Sequence, residues 1–176
     1  LGGVNTYTGA TTVSAGTLAV AADHALGAVP LAATPAHLVL AGGTLAADAS
    51  FELAATRGLA LGSGAAGTLG GTLWVADGTT LGYQGIVADH GASHGALDKS
   101  GAGTLVLAGD NTHTGPTTVI AGTLTIGADR ALGAVPATAA AGQLVLAGGT
   151  LQVAESFELA ATRGIALGAG QAGAGG

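Results

Sequence analysis

The stretch from Lys99 to Gly127, KSGAGTLVLAGDNTHTGPTTVIAGTLTIG, determines how the whole chain is interpreted. It contains three short runs rich in Thr, Val, Ile and Leu, at Gly103 to Leu107, Thr117 to Ile120 and Gly122 to Ile126. Gly, Asn or Asp separates these runs, which is the pattern of short strands joined by tight turns. We therefore predict three strands in this stretch.

Most of this stretch recurs near the start of the chain. NTYTGATTVSAGTLAV at Asn5 to Val20 lies 106 positions before NTHTGPTTVIAGTLTI at Asn111 to Ile126, and the match continues without a gap to Gly62 and Gly168. We expect 1–176 to be a fragment of one repetitive domain. Its first repeat unit, truncated at the start, is 1–106, and its second, truncated at the end, is 107–176.

Composition limits the fold and the membrane topology. Of the 176 residues, 48% are hydrophobic and 8% charged, which is too apolar for a disordered chain. Aromatic residues make up only 3% and glycines number 34, so the core must be thin and built from small side chains. No apolar run approaches the ~18 residues that a membrane-spanning helix needs, and we predict no such span.

Charge and cysteine content exclude several classes of function. The net charge is -6 and only four residues are Lys or Arg, whereas nucleic-acid binding and anionic membrane surfaces require clustered basic residues. We therefore expect no nucleic-acid partner. The absence of cysteine rules out disulfides and thiolate metal sites.

One segment departs from the strand pattern. AADHALGAVP at Ala21 to Pro30 recurs as GADRALGAVP 106 positions later. Asp23 is placed to cap a single helical turn, Gly27 to end it in a left-handed conformation and Pro30 to prevent its continuation. We predict a loop or one helical turn in each copy.

A second repeated block predicts two strands and a corner. SFELAATRGLALG at Ser50 to Gly62 returns as SFELAATRGIALG at Ser156 to Gly168. Phe51 in the first block is expected to be the largest inward residue of its turn, as is its counterpart in the second. Glu52 and Arg57 are placed to pair across the corner.

Short strands, Gly-rich corners and no long crossover helices favour an all-β, parallel β-helix, in which each rung buries its apolar face against its neighbours. The alternative is an antiparallel sandwich or barrel, which has no reason to keep a 106-residue register. The β-helix predicts an inward column of Leu105, Leu107, Leu124, Ile126, Leu144, Leu146, Leu151, Phe157 and Leu159. Unpaired rungs at the two ends would favour self-association of the isolated chain.

The stretch from Gly95 to Val119, continued by Ile120 to Leu124, resembles the passenger-associated repeat of bacterial autotransporters, the proteins of type V secretion. That family typically shows L-x-K-x-G-x-G-T-L-x-L-x-G-x-N-T-Y-T-G-x-T-T-V-x-x-G-T-L. Here His113 replaces the usual Tyr, which the first copy keeps as Tyr7. The L-x-L-x-G-G-T-L and F-x-L-x-x-x-R-G blocks also resemble the family's usual continuation.

This resemblance implies a right-handed β-helical passenger segment, exported to the cell surface through an outer-membrane β-barrel of the same parent chain. It implies a structural repeat, with no catalytic, cofactor-binding or metal-binding residues and no cofactor. A host-surface or extracellular-matrix ligand is the partner that such a passenger would contact.

The densest group of candidate metal ligands is Asp89-His90, His94 and Asp98. A His-x-x-x-His spacing holds a metal on a helix, but Gly91 interrupts any helix here, and we expect a solvated loop. In the other copy His24, His37 and His113 are exchanged for unlike polar residues. That exchange predicts surface positions for all three.

Two functions from different classes remain open. The first is a non-enzymatic stalk or scaffold of an adhesin at the cell surface. The second is part of a secreted β-helical enzyme acting on carbohydrate, which would need acids and basic residues clustered on one face. With four basic residues in the whole chain, the sequence favours the stalk.

Overall fold

The fold was obtained as a computed structural model that describes residues 1–67 and 69–168. Residue 68 in the first repeat unit and the last eight residues of the second unit, 169–176, lie outside the described part. The elements are short strands and two single 3-10 turns. The strands are β1 (Thr11–Val13), β2 (Thr17–Val20), β3 (Thr34–Leu40), β4 (Thr44–Ala47), β5 (Phe51–Leu53), β6 (Arg57–Gly67), β7 (Gly71–Val75), β8 (Thr80–Tyr83), β9 (Val87–Ser93), β10 (Leu97–Ser100), β11 (Thr104–Leu107), β12 (Thr117–Val119), β13 (Thr123–Ile126), β14 (Ala140–Leu146), β15 (Thr150–Val153) and β16 (Arg163–Leu167).

These strands stack in parallel into three sheets, which form the faces of a solenoid of about six turns. The first sheet has the order β1-β3-β6-β9, the second β2-β4-β7-β10-β12-β14-β16 and the third β5-β8-β11-β13-β15. Every strand pair between them is parallel. The predicted all-β parallel β-helix is confirmed, and the antiparallel sandwich or barrel is wrong. No helix in the described part is long and apolar enough to cross a membrane.

The core is a column of aliphatic side chains stacked in register. On the third face, for example, Leu53, Tyr83, Leu107 and Ile126 follow one another in the ladder, and each is at most 2% exposed. In β11, for example, alternation places Leu105 and Leu107 inside and Thr104 and Val106 outside. Of the residues predicted to point inward, five are buried: Leu105, Leu107, Leu124, Ile126 and Leu144. The other four, Leu146, Leu151, Phe157 and Leu159, are half-buried and pack against the same core. Phe51 is also half-buried.

The predicted helical turns are 3-10 turns, at Asp23–Leu26 and Asp129–Leu132. Gly27 ends the first with φ +82° and ψ -174°. This positive φ is as predicted, but ψ places Gly27 in the extended, glycine-only region rather than the left-handed helical one. The N-terminal cap is Ala22, without a side-chain hydrogen bond, so the predicted capping role of Asp23 is wrong. A different partner uses its carboxylate.

That partner is Arg57, whose side chain is buried. Arg57 Nε and Nη2 donate to the two carboxylate oxygens of Asp23, each at 3.1 Å. Nη1 donates to the Leu26 carbonyl at 2.7 Å and to His37 Nδ1 at 3.1 Å, and Nη2 also donates to the Gly27 carbonyl. The predicted pair between Arg57 and Glu52 is therefore wrong, since Glu52 is exposed. Arg57 instead holds the 3-10 turn of the preceding rung.

The same arrangement recurs 106 positions later. Arg163 Nε donates to Asp129 at 2.9 Å, and its guanidinium also donates to the carbonyls of Leu132 and Gly133. Each arginine therefore satisfies carbonyls at the end of a 3-10 turn, where the ladder offers them no amide. This is the physical reason for the Arg in the repeated F-E-L-A-A-T-R-G block.

Two of the three histidines predicted to lie at the surface are buried. His24 is exposed as expected, but His37 is 4% exposed and His113 is fully buried. His113 Nε2 lies 3.0 Å from Thr117 Oγ1, as Tyr7 Oη lies 2.9 Å from Thr11 Oγ1 in the first copy. Exchange between His and Tyr therefore keeps one hydrogen bond to the Thr four positions on, and it does not indicate a surface site.

The proton positions on His113 follow from its neighbours. Thr117 Oγ1 donates to the Leu132 carbonyl at 3.1 Å, so its oxygen accepts from His113 Nε2-H. Nδ1 then carries the lone pair and has no hydrogen-bond partner among the described residues. Burial lowers the pKa of His113 to about 4; the nearby Asp89 carboxylate opposes this shift and Arg163 adds to it. His113 is neutral in the folded chain.

We call the hydrogen bonds from Arg57, or from Arg163, to the preceding 3-10 turn an Arg clamp. Substituting Arg57 tests the first clamp. Arg57→Met leaves the Asp23 carboxylate with only the Ala54 amide as a donor and leaves two carbonyls with none, and we expect unfolding to become easier by ~3–5 kcal/mol. The matched control is Arg130→Met, since Arg130 and Asp110 form an exposed pair whose loss costs under ~1 kcal/mol. Denaturant unfolding of both variants provides the measurement. Equal losses would show that Arg57 is no more than a surface charge.

A second test uses pH. The unfolded chain protonates His113 near pH 6.5 but the folded chain only near pH 4, so stability rises with pH between these values and is lost as the pH falls. The loss amounts to at most ~3 kcal/mol. His113→Tyr, the residue of the first copy, should remove this component, whereas His24→Tyr at an exposed site should keep it. Unfolding midpoints across the window decide, and identical pH profiles for both variants would contradict the assignment.

Candidate functional site

The Asp89 cluster is built on strands, not on the solvated loop that the sequence predicted. Asp89 and His90 lie in β9 and are half-buried, Asp98 lies half-buried in β10, and only His94 lies exposed between the two strands. Strand β9 pairs in parallel with β6, and this pairing continues past two shifts in register. The loop prediction is therefore wrong for three of the four residues.

Asp89 serves as a hydrogen-bond acceptor that joins two rungs. Its Oδ1 accepts from the backbone amides of Gly95 at 2.7 Å and Thr114 at 3.0 Å, and its Oδ2 accepts from Thr114 Oγ1 at 2.7 Å. His94 Nδ1 lies 2.8 Å from the same Thr114 oxygen. Since the Thr114 proton is given to Asp89, His94 Nδ1-H must be the donor to Thr114.

This polarity decides what the cluster can do. A nucleophilic hydroxyl gives its proton to the histidine, and the carboxylate contacts the other ring nitrogen. Here Thr114 gives its proton to Asp89 directly, and His94 only donates. The three side chains thus fasten two neighbouring rungs, and they do not form an activated nucleophile.

The remaining two residues of the cluster point to other partners. His90 Nδ1 lies 3.1 Å from the Gly62 carbonyl, and burial raises the pKa of Asp98, opposed by a hydrogen bond with Thr118. Across residues 1–67 and 69–168, no group of three His, Cys, Asp or Glu side chains comes close enough to hold a metal ion. Of the four residues, Asp89 and His94 meet at Thr114, whereas His90 bonds to Gly62 and Asp98 to Thr118.

A cleft of about 330 Å³ lies on the first face. Its walls are the bulge at 33–36, the segment 58–60 of β6 and the segment 86–91 around β9. Most of these residues are Ala, Pro, Leu or Ile, and Asp89 and His90 lie along one wall. The bulge arises where β3 shifts register against β6, and Ala36 has φ +53° there.

The cleft lacks the groups that carbohydrate chemistry needs. A sugar-cleaving site uses two carboxyl groups facing one bond, and binding of acidic sugars adds basic residues. Among the described residues, Asp89 is the only acid that lines this cleft, and its oxygens already accept three hydrogen bonds. The cleft can accommodate a small apolar group.

Two further titratable groups are buried, and both are structural. Lys99 is fully buried, and its Nζ donates to the carbonyls of Ser100, Gly101 and Ala121 at 2.6, 2.8 and 3.1 Å. Burial lowers the pKa of Lys99 to about 8, and it raises the pKa of Tyr83 to about 12. Tyr83 Oη donates to the Arg57 carbonyl at 2.8 Å. In the sequence, Lys99 lies two positions after the inward Leu97, and this alternation is the signal that could have placed Lys99 inside.

Comparison with known proteins adds a family. The family model described as Passenger-associated-transport-repeat matches residues 1–20 and 97–126. The Adhesin BmaC autotransporter of Brucella suis biovar 1 (strain 1330) is 41% identical over 129 residues, which is 72% of this chain. The chain spans about 3% of the length of that relative. No solved structure matches the chain.

The family model covers both copies of N-T-x-T-G-x-T-T-V. The T-T-V of the two copies forms β1 and β12. The longer match to an autotransporter extends the likeness to most of the chain, and the parallel β-helix agrees with the fold that the resemblance implied. The chain therefore belongs to the passenger repeats of the bacterial autotransporter family.

Proposed function

We propose that this chain is a non-enzymatic structural segment of an autotransporter passenger, serving as a stalk or scaffold of an adhesin. The observation that carries the proposal is the match of 72% of the chain to an adhesin autotransporter, together with the parallel stacking of strands throughout residues 1–67 and 69–168. The parent protein is exported across the outer membrane of a Gram-negative bacterium and exposed at the cell surface.

The rungs suit this role mechanically. Backbone hydrogen bonds connect each rung to the next on all three faces, and each Arg clamp joins residues 34 positions apart. Pulling one rung from the column therefore breaks several bonds at once. A column with such couplings holds a distal domain at a defined distance from the surface.

The surface suits a scaffold as well. Thr and Ala are the commonest residues at the outward strand positions of the described part, and acidic and basic residues together make up 8% of the chain. Such a surface offers weak, distributed contacts. A host-surface or extracellular-matrix molecule is the partner of the whole passenger, and an outer-membrane barrel of the same parent chain is the partner in export.

The alternative is a secreted carbohydrate-active enzyme, and the cleft beside Asp89 and His90 is where it would act. We expect the purified chain to leave neutral and acidic polysaccharides intact, because a second carboxyl group and basic residues are missing from the cleft. Release of reducing ends is the measurement. Cleavage that is lost in Asp89→Asn and His90→Ala, but kept in the remote control His24→Ala, would establish the enzyme.

The scaffold role is tested in the parent protein by removing one repeat unit. Deleting 21–126 joins Val20 to Gly127, so the repeat pattern continues, and the shaft should shorten by roughly 20 Å at ~4.8 Å per rung. We expect the bacteria to display the protein normally but to adhere less well.

A control deletion of 21–116 joins Val20 to Thr117, which breaks the repeat pattern. This variant should lose surface display because its rungs cannot stack in register. Unchanged adhesion by cells that display the 21–126 deletion at the normal level would contradict the stalk.

A further inference from the structure

The two copies of the repeat lie on different faces of the solenoid. Strand β1 belongs to the first sheet, but its counterpart β12, 106 positions later, belongs to the second. Likewise β2 is in the second sheet and its counterpart β13 in the third. Corresponding strands of the two copies therefore occupy neighbouring faces. Nothing in the sequence shows this shift by one face.

The number of segments in one unit explains the shift. From β1 up to β12 the chain passes through eleven strands, the first 3-10 turn and the segment 111–113. The 3-10 turn occupies a place on the third face, since Asp23 accepts from the amide of Ala54 directly after β5. The segment 111–113 lies on the first face, since the amides of Thr112 and His113 donate to the Val87 carbonyl at the start of β9.

One unit thus contains thirteen face segments, and three of them complete a turn. Four full turns take twelve segments, so the thirteenth segment begins a fifth turn. We infer that the 106-residue unit is a screw element of four and one third turns, which moves each surface feature to the next face in the following unit.

The stacking forces permit such a screw. Neighbouring strands are joined by backbone hydrogen bonds, which do not depend on side-chain identity, and each face supplies an aliphatic inward column. A strand can therefore be accommodated on any of the three faces. The second Arg clamp shows the tolerance directly, because Arg163 makes the contacts of Arg57 one face further round.

The screw determines how a repeated surface meets a partner. The cleft on the first face lies between β3, β6 and β9, and the counterparts of β3 and β6, which are β14 and β16, lie on the second face. In an array of such units, a surface feature returns to one face only after three units. That distance is thirteen turns, or about 62 Å at ~4.8 Å per turn. The two copies of a surface patch in this chain therefore cannot both contact one flat partner.

The chain itself allows a direct test, because it has no cysteine to interfere with labelling. Thr12 and Thr118 are counterparts in the repeat, whereas Thr17 and Thr118 lie in one ladder of the second face, four rungs apart. When cysteines carrying spin labels replace these residues, the two labelled pairs share position 118 and differ only in the other position. Double electron-electron resonance then reports the two distances.

The screw predicts a longer distance for Thr12→Cys with Thr118→Cys than for Thr17→Cys with Thr118→Cys. The control pair should give about 19 Å between backbones, from four rungs at ~4.8 Å. If the unit made a whole number of turns, the order of the two distances would reverse, and the inference would be overturned.

A second set guards against a variant that fails to fold. Thr44 and Thr150 are counterparts on the second and third faces, while Thr44 and Val145 lie in one ladder of the second face, four rungs apart. The screw again predicts the longer distance for the counterparts. Far-ultraviolet circular dichroism of each labelled variant shows which pairs report on the native fold, and a reversed order in either folded set rejects the screw.

Discussion

Continuous backbone pairing between rungs is the constraint on which the rest of this structure depends. A three- or four-residue strand cannot stand alone, so each one is stable only because its amides and carbonyls bond to the rungs on both sides. Corners must then bring successive rungs close together. At Gly109, an added Cβ would collide with the carbonyl of Gly85 in the rung below, which explains why glycine is needed there. The thin aliphatic core follows from the same narrow cross-section.

Buried charges appear where this pairing is interrupted. The 3-10 turns leave carbonyls that no amide of the next rung can reach, and Arg57 and Arg163 bond to them. Lys99 does the same for the corner at Ser100 and Gly101. Burying a cation is costly unless hydrogen bonds compensate, and these carbonyls provide that compensation. Three of the four basic residues are therefore structural, which leaves Arg130 as the exposed one.

The sequence predicted the strands and the core but not the polar contacts. Alternation and repetition were enough to place Leu105, Leu107 and Leu124 inside a parallel β-helix. The partner of Arg57 could not be predicted, because Asp23 is 34 residues away and the contact arises only from stacking. Glu52 was closer in sequence and therefore misleading. Exchange for Tyr suggests that His113 is exposed, yet His113 is buried, because His113 and Tyr7 each bond to the Thr four positions on in their own copy.

The candidate site was harder to judge than the fold, for a physical reason. Sequence proximity grouped Asp89, His90 and His94, but in a strand successive side chains point to opposite faces. Asp89 and His94 bond to Thr114 on the next rung, whereas His90 bonds back to Gly62 on the previous one. Each group is thus committed to a neighbouring rung. In a fold where stability is local to each pair of rungs, polar side chains that fasten those rungs are not available for a ligand, and this favours a scaffold over a catalyst.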